Sequence, residues 1–176
     1  MEARAEAIGH RTGQASGATV FGSTQVEALV AAGAPASKRD RRGATPAHAL
    51  VVAAARAEAA AAGAAAAALG PDALAARDGR GFTAAHALAF CRRAPALSAF
   101  LGAGADADVR LLARPPPHTS AARVGLGRGA APLHCCFASS ENPDDVAAAA
   151  EALVRGGAAP AARDAAGVYA PELALA

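Results

Sequence analysis

The sequence predicts an all-α protein built from stacked antiparallel helix pairs, and three observations support this fold class. A segment of about eleven residues recurs along the chain, and self-similarity of this kind is typical of stacked repeats. Apolar residues make up 53% of the composition but aromatic residues only 3%. Most of the apolar residues are alanine, which forms helices best and buries little area per side chain. Glycines follow the predicted helices, as expected of helix ends.

The recurring segment is clearest in the copy that begins at Asp78, which reads DGRGFTAAHAL. The copy that begins at Asp40 reads DRRGATPAHAL, and a shorter copy beginning at Gly129 reads GAAPLHCC. A fourth copy, DAAGVYAPELA, begins at Asp164 and has glutamate where the others have histidine. The spacings from His48 through His86 and His134 to Glu172 are 38, 48 and 38 residues.

Each position of the segment has a physical role in a turn that leads into a helix. The glycines suit a turn that needs positive φ, and the threonines are good N-cap residues. A proline at the first helical position loses no hydrogen bond. The histidine ring can join the threonine hydroxyl to neighbouring backbone. The predicted structural positions are Gly43, Thr45, Pro46, His48, Gly81, Thr83, His86, Gly129, Pro132, His134 and Gly167.

These motifs resemble the ankyrin repeat, whose signature is Asp-x-x-Gly-x-Thr-Pro-Leu-His-x-Ala. The resemblance extends from about Gln25 to the end of the sequence. It implies a solenoid of antiparallel helix pairs joined by short β-hairpin-like fingers. The family period is about 33 residues, so the units of this chain are longer than usual.

The resemblance and the helix signals predict a short N-terminal segment followed by one repeat domain. We expect residues 1–23 to be poorly ordered and the ankyrin repeat domain to span 24–176. The predicted units are a partial repeat at 24–39, repeats at about 40–77, 78–110 and 129–163, a loop insertion at 111–128, and a partial repeat at 164–176.

Within these units the periodicity predicts a helix that begins at Thr24 and ends before Gly33, and then three pairs of helices. The predicted pairs are 45–55 with 58–69, 83–92 with 95–101, and 131–139 with 144–155. In the insertion, Pro115-Pro116-Pro117 favours an extended polyproline segment. We interpret the insertion as an enlarged finger loop, which is either a tolerated surface insertion or a partner-contacting loop.

Charge and cysteine content restrict the class of protein. A net charge of +2 and a pI of about 8.7 are too mild to indicate nucleic-acid binding. Three cysteines, an odd number, and an acidic start to the sequence predict a reduced intracellular protein. The alanine run 57–69 is too short to span a membrane. We expect a monomer in the cytoplasm, with the nucleus as an alternative.

The sequence offers few candidates for chemistry. His48, His86 and His134 occupy a position that is structural in the family that the chain resembles. Cys135-Cys136 lies beside His134 but lacks a Cys-x-x-Cys spacing. The glycine-rich stretch 125–129 has no following lysine of a phosphate-binding loop. We therefore predict no catalytic residue, no metal site and no cofactor.

The resemblance implies protein binding through the concave face of the inner helices and the finger tips. Phe82 and Phe90 could form an aromatic anchor in that groove. Residues 38–42 read KRDRR, a net +3 that would suit a protein partner with an acidic surface. The predicted partner-binding residues are Arg41, Arg42, Ala44, Val52, Arg80, Phe82, Phe90 and Ser139.

Three other functions stay open at this point. The chain could be a recruiting or regulatory segment of a larger enzyme, such as a kinase or ubiquitin ligase. It could be a purely structural spacer. It could also be a small metal or redox protein that uses a cluster formed by His86, Cys91, His134, Cys135 and Cys136.

Overall fold

The computed structural model describes residues 23–54, 59–116, 120–138 and 142–175. Within these residues the protein is all-α, with one isolated antiparallel bridge between Arg163 and Tyr169. The prediction of an all-α protein is therefore confirmed. The helices are α1 (Ser23–Ala31), α2 (Pro46–Ala54), α3 (Ala59–Leu69), α4 (Pro71–Leu74), α5 (Ala84–Phe90), α6 (Ala94–Gly102), α7 (Ser120–Arg123), α8 (Pro132–Phe137), α9 (Pro143–Arg155) and a 3₁₀ helix (Ala170–Leu175).

The helices pack in two rows. In one row, which we call the inner row, α2 contacts α5, α5 contacts α8, and α8 contacts the 3₁₀ helix. In the other, the outer row, α1 contacts α3, α3 contacts α6, and α6 contacts α9. The two rows join where α2 packs on α3, α5 on α6, and α8 on α9. One continuous apolar core lies between them.

The core combines leucines with small side chains. Leu50 and Leu88 on the inner helices are fully buried, as are the alanines Ala62 and Ala65 on the outer helix α3. A Cβ atom added at Gly63 would lie 2.7 Å from the Cβ of Ala99, so α3 and α6 approach closely at a glycine–alanine contact. Phe100 is the largest fully buried side chain of the described residues. Small residues therefore allow close helix packing in a core with few aromatic rings.

The helix ends follow local sequence signals. Thr83 has extended backbone angles and precedes α5, and Pro132 occupies the first position of α8. Asn142 caps α9 by accepting a hydrogen bond of 3.1 Å from the backbone N–H of Asp144. Arg155 lies in the last turn of α9 and pairs with Glu151 at 2.7 Å. These are the arrangements that the helix dipole and the unpaired terminal amides favour.

The insertion 111–128 contains more structure than the enlarged loop that the sequence predicts. It contains the short helix α7, and Leu111, Pro115 and Leu126 are buried. The apolar side chains pack into the core and hold the segment against it. Spaced apolar residues thus supply burial within the segment that the sequence interprets as an enlarged finger loop.

Two further expectations concern the N-terminal segment and membrane spans. Of the predicted N-terminal segment 1–23, residues 1–22 lie outside the described residues, and Ser23 begins α1. Among the helices that are described, none has the length and apolar character required to cross a bilayer.

Candidate interaction surface

A turn with the same hydrogen bonds precedes three of the inner-row helices. In the turn before α2, the backbone N–H of Asp40 donates to the carbonyl of Ala44 at 2.9 Å. The carboxylate of Asp40 accepts hydrogen bonds of 2.8 Å from the backbone N–H groups of Arg42 and Ala44. Asp78 and Asp164 make the equivalent bonds before α5 and the 3₁₀ helix. We call the tips of these turns the finger tips.

The turn before α8 differs because the insertion lies inside it. Leu111 takes the aspartate position, donating its backbone N–H to Ala130 at 2.9 Å, and its carbonyl accepts from Gly129 at 2.8 Å. The backbone pairing is thus kept while the carboxylate is lost. Many residues can lie between Leu111 and Gly129, because the entropic cost of closing a loop rises slowly with loop length.

Glycine is required where neighbouring turns touch. Gly43 has a φ of 74°, and a Cβ atom added there would lie 2.7 Å from the backbone nitrogen of Gly79. The N–H of Gly79 donates to the carbonyl of Arg42 at 3.0 Å. Successive turns are therefore held together through backbone contacts that leave no room for a side chain.

Each motif histidine joins its own helix start to the next turn along the row. Nδ1 of His86 lies 2.9 Å from the hydroxyl of Thr83 and accepts from the Thr83 backbone N–H at 3.3 Å. Nε2 of His86 lies 3.3 Å from the carbonyl of Ala130. We call the two contacts that recur, Nδ1 with the backbone N–H at the helix start and Nε2 with the carbonyl of the next turn, the histidine junction; at His86 it joins residues 44 apart in sequence.

The histidine junction recurs on both sides of His86. Nε2 of His48 lies 2.8 Å from the carbonyl of Phe82, and its Nδ1 lies 2.9 Å from the hydroxyl of Thr45. His134 accepts the Ala131 N–H at 3.1 Å and lies 3.2 Å from the Val168 carbonyl. Nδ1 accepts a backbone N–H in all three, so the ring proton is on Nε2, which donates to the carbonyl.

Burial favours the neutral ring at two of these histidines, His86 and His134. His86 is fully buried, and desolvation lowers its pKa to about 4. Desolvation also lowers the pKa of His134. A protonated ring would carry a proton on Nδ1, where the backbone N–H must be accepted. At neutral pH these side chains serve as connectors between units.

Four arginines form a second connection between successive turns, which the sequence analysis does not predict. Arg77 donates to the carbonyl of Gly81 in its own turn at 3.0 Å and to the carbonyl of Arg110 in the next at 2.7 Å. Arg110 repeats this with Gly129 at 3.2 Å and Arg163 at 2.7 Å. Arg39 donates to Gly43 and to Arg77 in the same way. We call the set Arg39, Arg77, Arg110 and Arg163 the arginine ladder.

Replacing Arg77 by alanine should lower the free energy of unfolding by about 2 kcal/mol, because two charge-assisted hydrogen bonds to partly buried carbonyls are lost. Urea denaturation followed by circular dichroism measures the change. The matched control is Arg80→Ala at the neighbouring finger tip, whose exposed side chain should contribute less than about 0.5 kcal/mol. Equal losses in the two variants would argue against the arginine ladder.

The structure exposes four of the eight predicted partner-binding residues. Arg41, Arg42 and Arg80 are exposed at the finger tips, and Val52 on α2 is 45% exposed. Ala44 is half-buried beside them. Ser139 lies outside the described residues.

The two phenylalanines do not form an exposed anchor. Phe82 is only 8% exposed, and its ring meets the ring of His86 edge-to-face at a centroid distance of 5.7 Å. The Phe82 side chain therefore packs inward beside His86 and offers little area to a partner, while its carbonyl lies 2.8 Å from Nε2 of His48. Phe90 is half-buried and packs against the core.

The three cysteines differ in their burial. Cys135 and Cys136 are buried, and burial raises the pKa of both thiols, that of Cys136 to about 12. Cys91 is exposed. Within the described ranges no three His, Cys, Asp or Glu side chains converge on a point where a metal could bind. The buried thiols are protonated and pack as small apolar groups.

A groove of about 690 Å³ opens between α1, α2 and the turn that joins them. Its walls are apolar, with Val26 and Leu29 from α1 and Val52 from α2. Lys38 and Arg42 from the turn lie at its edge. We call this the α1–α2 groove.

A scan against protein-family models finds no match to this chain, and a search of curated proteins finds none either.

Proposed function

We propose that the chain is a non-catalytic protein-interaction module of the ankyrin type, in which stacked helix pairs present finger tips and inner-row helices to a protein partner. The observation that carries the proposal is the histidine junction, which recurs at His48, His86 and His134 with the same bonding at Nδ1 and Nε2. The array extends in this proposal from residue 24 to 176, with the unit boundaries predicted above.

The repeated connections support binding rather than catalysis. The histidine junctions and the arginine ladder hold successive turns in a fixed register, so a partner would meet a surface that is already ordered. The exposed cations Arg41, Arg42 and Arg80 project from two neighbouring finger tips. Positive finger tips favour a protein partner with an acidic surface and accelerate its association. The module acts as a monomer in the cytoplasm or nucleus and binds neither nucleic acid nor membrane.

The proposal predicts that a specific partner depends on the finger tips. Affinity purification with the double variant Arg41→Ala/Arg80→Ala should lose at least about 90% of a partner recovered with the wild type, a change of about tenfold or 1.4 kcal/mol. The matched control is Arg93→Ala/Arg155→Ala, which removes two exposed arginines that lie away from the fingers. It should retain the partner.

Both variants must be compared with the wild type by circular dichroism, since the comparison requires that both are folded. A partner retained equally by the finger-tip variant and the control would place binding elsewhere. A partner lost from both would indicate general charge attraction and would contradict a finger-tip site.

A further inference from the structure

The α1–α2 groove occupies a particular place in the packing of the two rows. Helix α5 has an inner-row neighbour on each side, namely α2 and α8. Helix α2 has α5 on one side, and its other side borders the groove. In the outer row, α1 extends one position beyond α2 and forms the opposite wall. The groove therefore lies where one further inner-row helix would pack, at the usual spacing of about 8–10 Å between helix axes.

The floor of the groove is apolar and open to solvent. Leu29 is 46% exposed and Val52 45% exposed, and together they account for half of the four large exposed hydrophobic side chains in the described residues. Val26 and Val30 extend the apolar surface along α1. Side chains spaced in this way match the apolar stripe of an amphipathic helix, in which residues at i, i+3, i+4 and i+7 share one face.

The rim of the groove is positive. Lys38 and Arg42 are exposed at its edge, and both side chains belong to the turn between the helices. Arg39 also lines it, although its guanidinium is engaged in the arginine ladder. The one carboxylate of this turn, Asp40, already accepts two backbone N–H groups. Lys38, Arg39 and Arg42 outnumber Asp40, so the rim has a net positive charge that attracts carboxylates placed beside an apolar stripe.

We propose that the α1–α2 groove binds an acidic amphipathic helix of a partner protein, which completes the inner row by packing against α1 and α2. The inference rests on the proposed function and specifies a partner class for one end of the surface. Apolar side chains of the bound helix contact Leu29 and Val52, and flanking glutamates pair with Lys38 and Arg42. Charge at the rim selects acidic over basic helices.

The test uses a fluorescein-labelled synthetic peptide of about 16 residues, long enough to form helix, with leucines on one face and glutamates beside them. Fluorescence anisotropy with the full chain should show saturable binding that weakens as ionic strength rises. Val52→Glu and Leu29→Glu should each weaken binding by at least about tenfold, because a carboxylate enters the apolar floor. Val154→Glu on α9, where the wild-type side chain is 43% exposed, should change binding by less than about twofold.

A second pair of variants separates charge from apolar contact. Lys38→Ala/Arg42→Ala should weaken binding and flatten its dependence on salt, whereas Arg80→Ala should do neither. The same peptide with lysines in place of the glutamates should not bind. Equal binding of the lysine and glutamate peptides would overturn the proposal, as would equal effects of Val52→Glu and Val154→Glu.

Two other occupants give different results. If the N-terminal segment of this chain fills the groove, Ile8→Glu/Phe21→Glu in the full chain should raise peptide affinity by about tenfold. If a second copy fills it, sedimentation should show a concentration-dependent dimer that Val52→Glu abolishes. Either result would contradict the proposal that a helix of a partner protein binds in the groove. Should the peptide fail to bind while Arg41→Ala/Arg80→Ala still releases a purified partner, this inference fails and the proposed function stands.

Discussion

Replacing His86 by leucine should lower the free energy of unfolding by roughly 3 kcal/mol at neutral pH. The substitution keeps the apolar volume but removes both ring nitrogens from a fully buried site. It leaves the backbone N–H and the buried hydroxyl of Thr83 without Nδ1, and it removes one of the two hydrogen bonds that the Ala130 carbonyl accepts, the other coming from the N–H of Leu111. Each unpaired buried group costs about 1–3 kcal/mol. Urea denaturation at pH 7 measures the change.

His48→Leu is the matched control for this prediction. His48 makes the same two connections, but it is only half-buried, so water can reach the groups that the substitution releases. We expect a loss of about 1 kcal/mol, smaller than for His86. A larger loss for His48→Leu than for His86→Leu would contradict the assignment of the His86 effect to buried, unpaired backbone groups.

Acid should destabilise the protein between pH 6.5 and about 4, and most of this effect should come from His86. The ordinary histidine pKa is 6.5, and burial lowers that of His86 to about 4. As pH falls below 6.5, this histidine becomes protonated in the unfolded chain while it stays neutral in the folded chain. The free energy of unfolding therefore keeps its full value above pH 6.5 and decreases below it. The loss approaches about 3 kcal/mol near pH 4. Burial of His134 acts in the same direction.

The His86→Leu variant isolates this contribution, since it lacks the titrating ring and shares every other group. Its stability deficit relative to the wild type should shrink from roughly 3 kcal/mol at neutral pH to below about 1 kcal/mol near pH 4.5. Urea denaturation of both proteins across this range tests it. A deficit that stays constant with pH would mean that His86 has an ordinary pKa in the folded protein.

The helices and the histidine positions could be predicted from the sequence because their signals are local. Thr83 marks the start of α5, and Pro132 does the same for α8. The recurrence of His48, His86 and His134 in one motif pointed to a shared structural role, and the structure places each at a helix start that bonds to the next turn. Motif spacing carried this information because each unit repeats the same short-range chemistry.

Contacts between units determine the features that the sequence does not predict. The arginine ladder uses the residue before each turn, and the signal was present as an arginine at 39, 77, 110 and 163, but its carbonyl partners lie in the neighbouring unit. Phe82 is buried with its ring against His86, and its carbonyl lies opposite His48 of the preceding unit. In the insertion, Pro115-Pro116-Pro117 predicts an extended segment, whereas the structure buries Leu111 and Leu126 against the core.

The central claim of this account is that one junction chemistry recurs between successive units. Long-range ¹H–¹⁵N correlation spectra of the histidine rings at neutral pH test it most directly, because they report which ring nitrogen carries the proton. We expect the proton on Nε2, which donates to the next turn, and none on Nδ1, which accepts a backbone N–H, in His48, His86 and His134 alike. A ring protonated on Nδ1 in any of the three would contradict it.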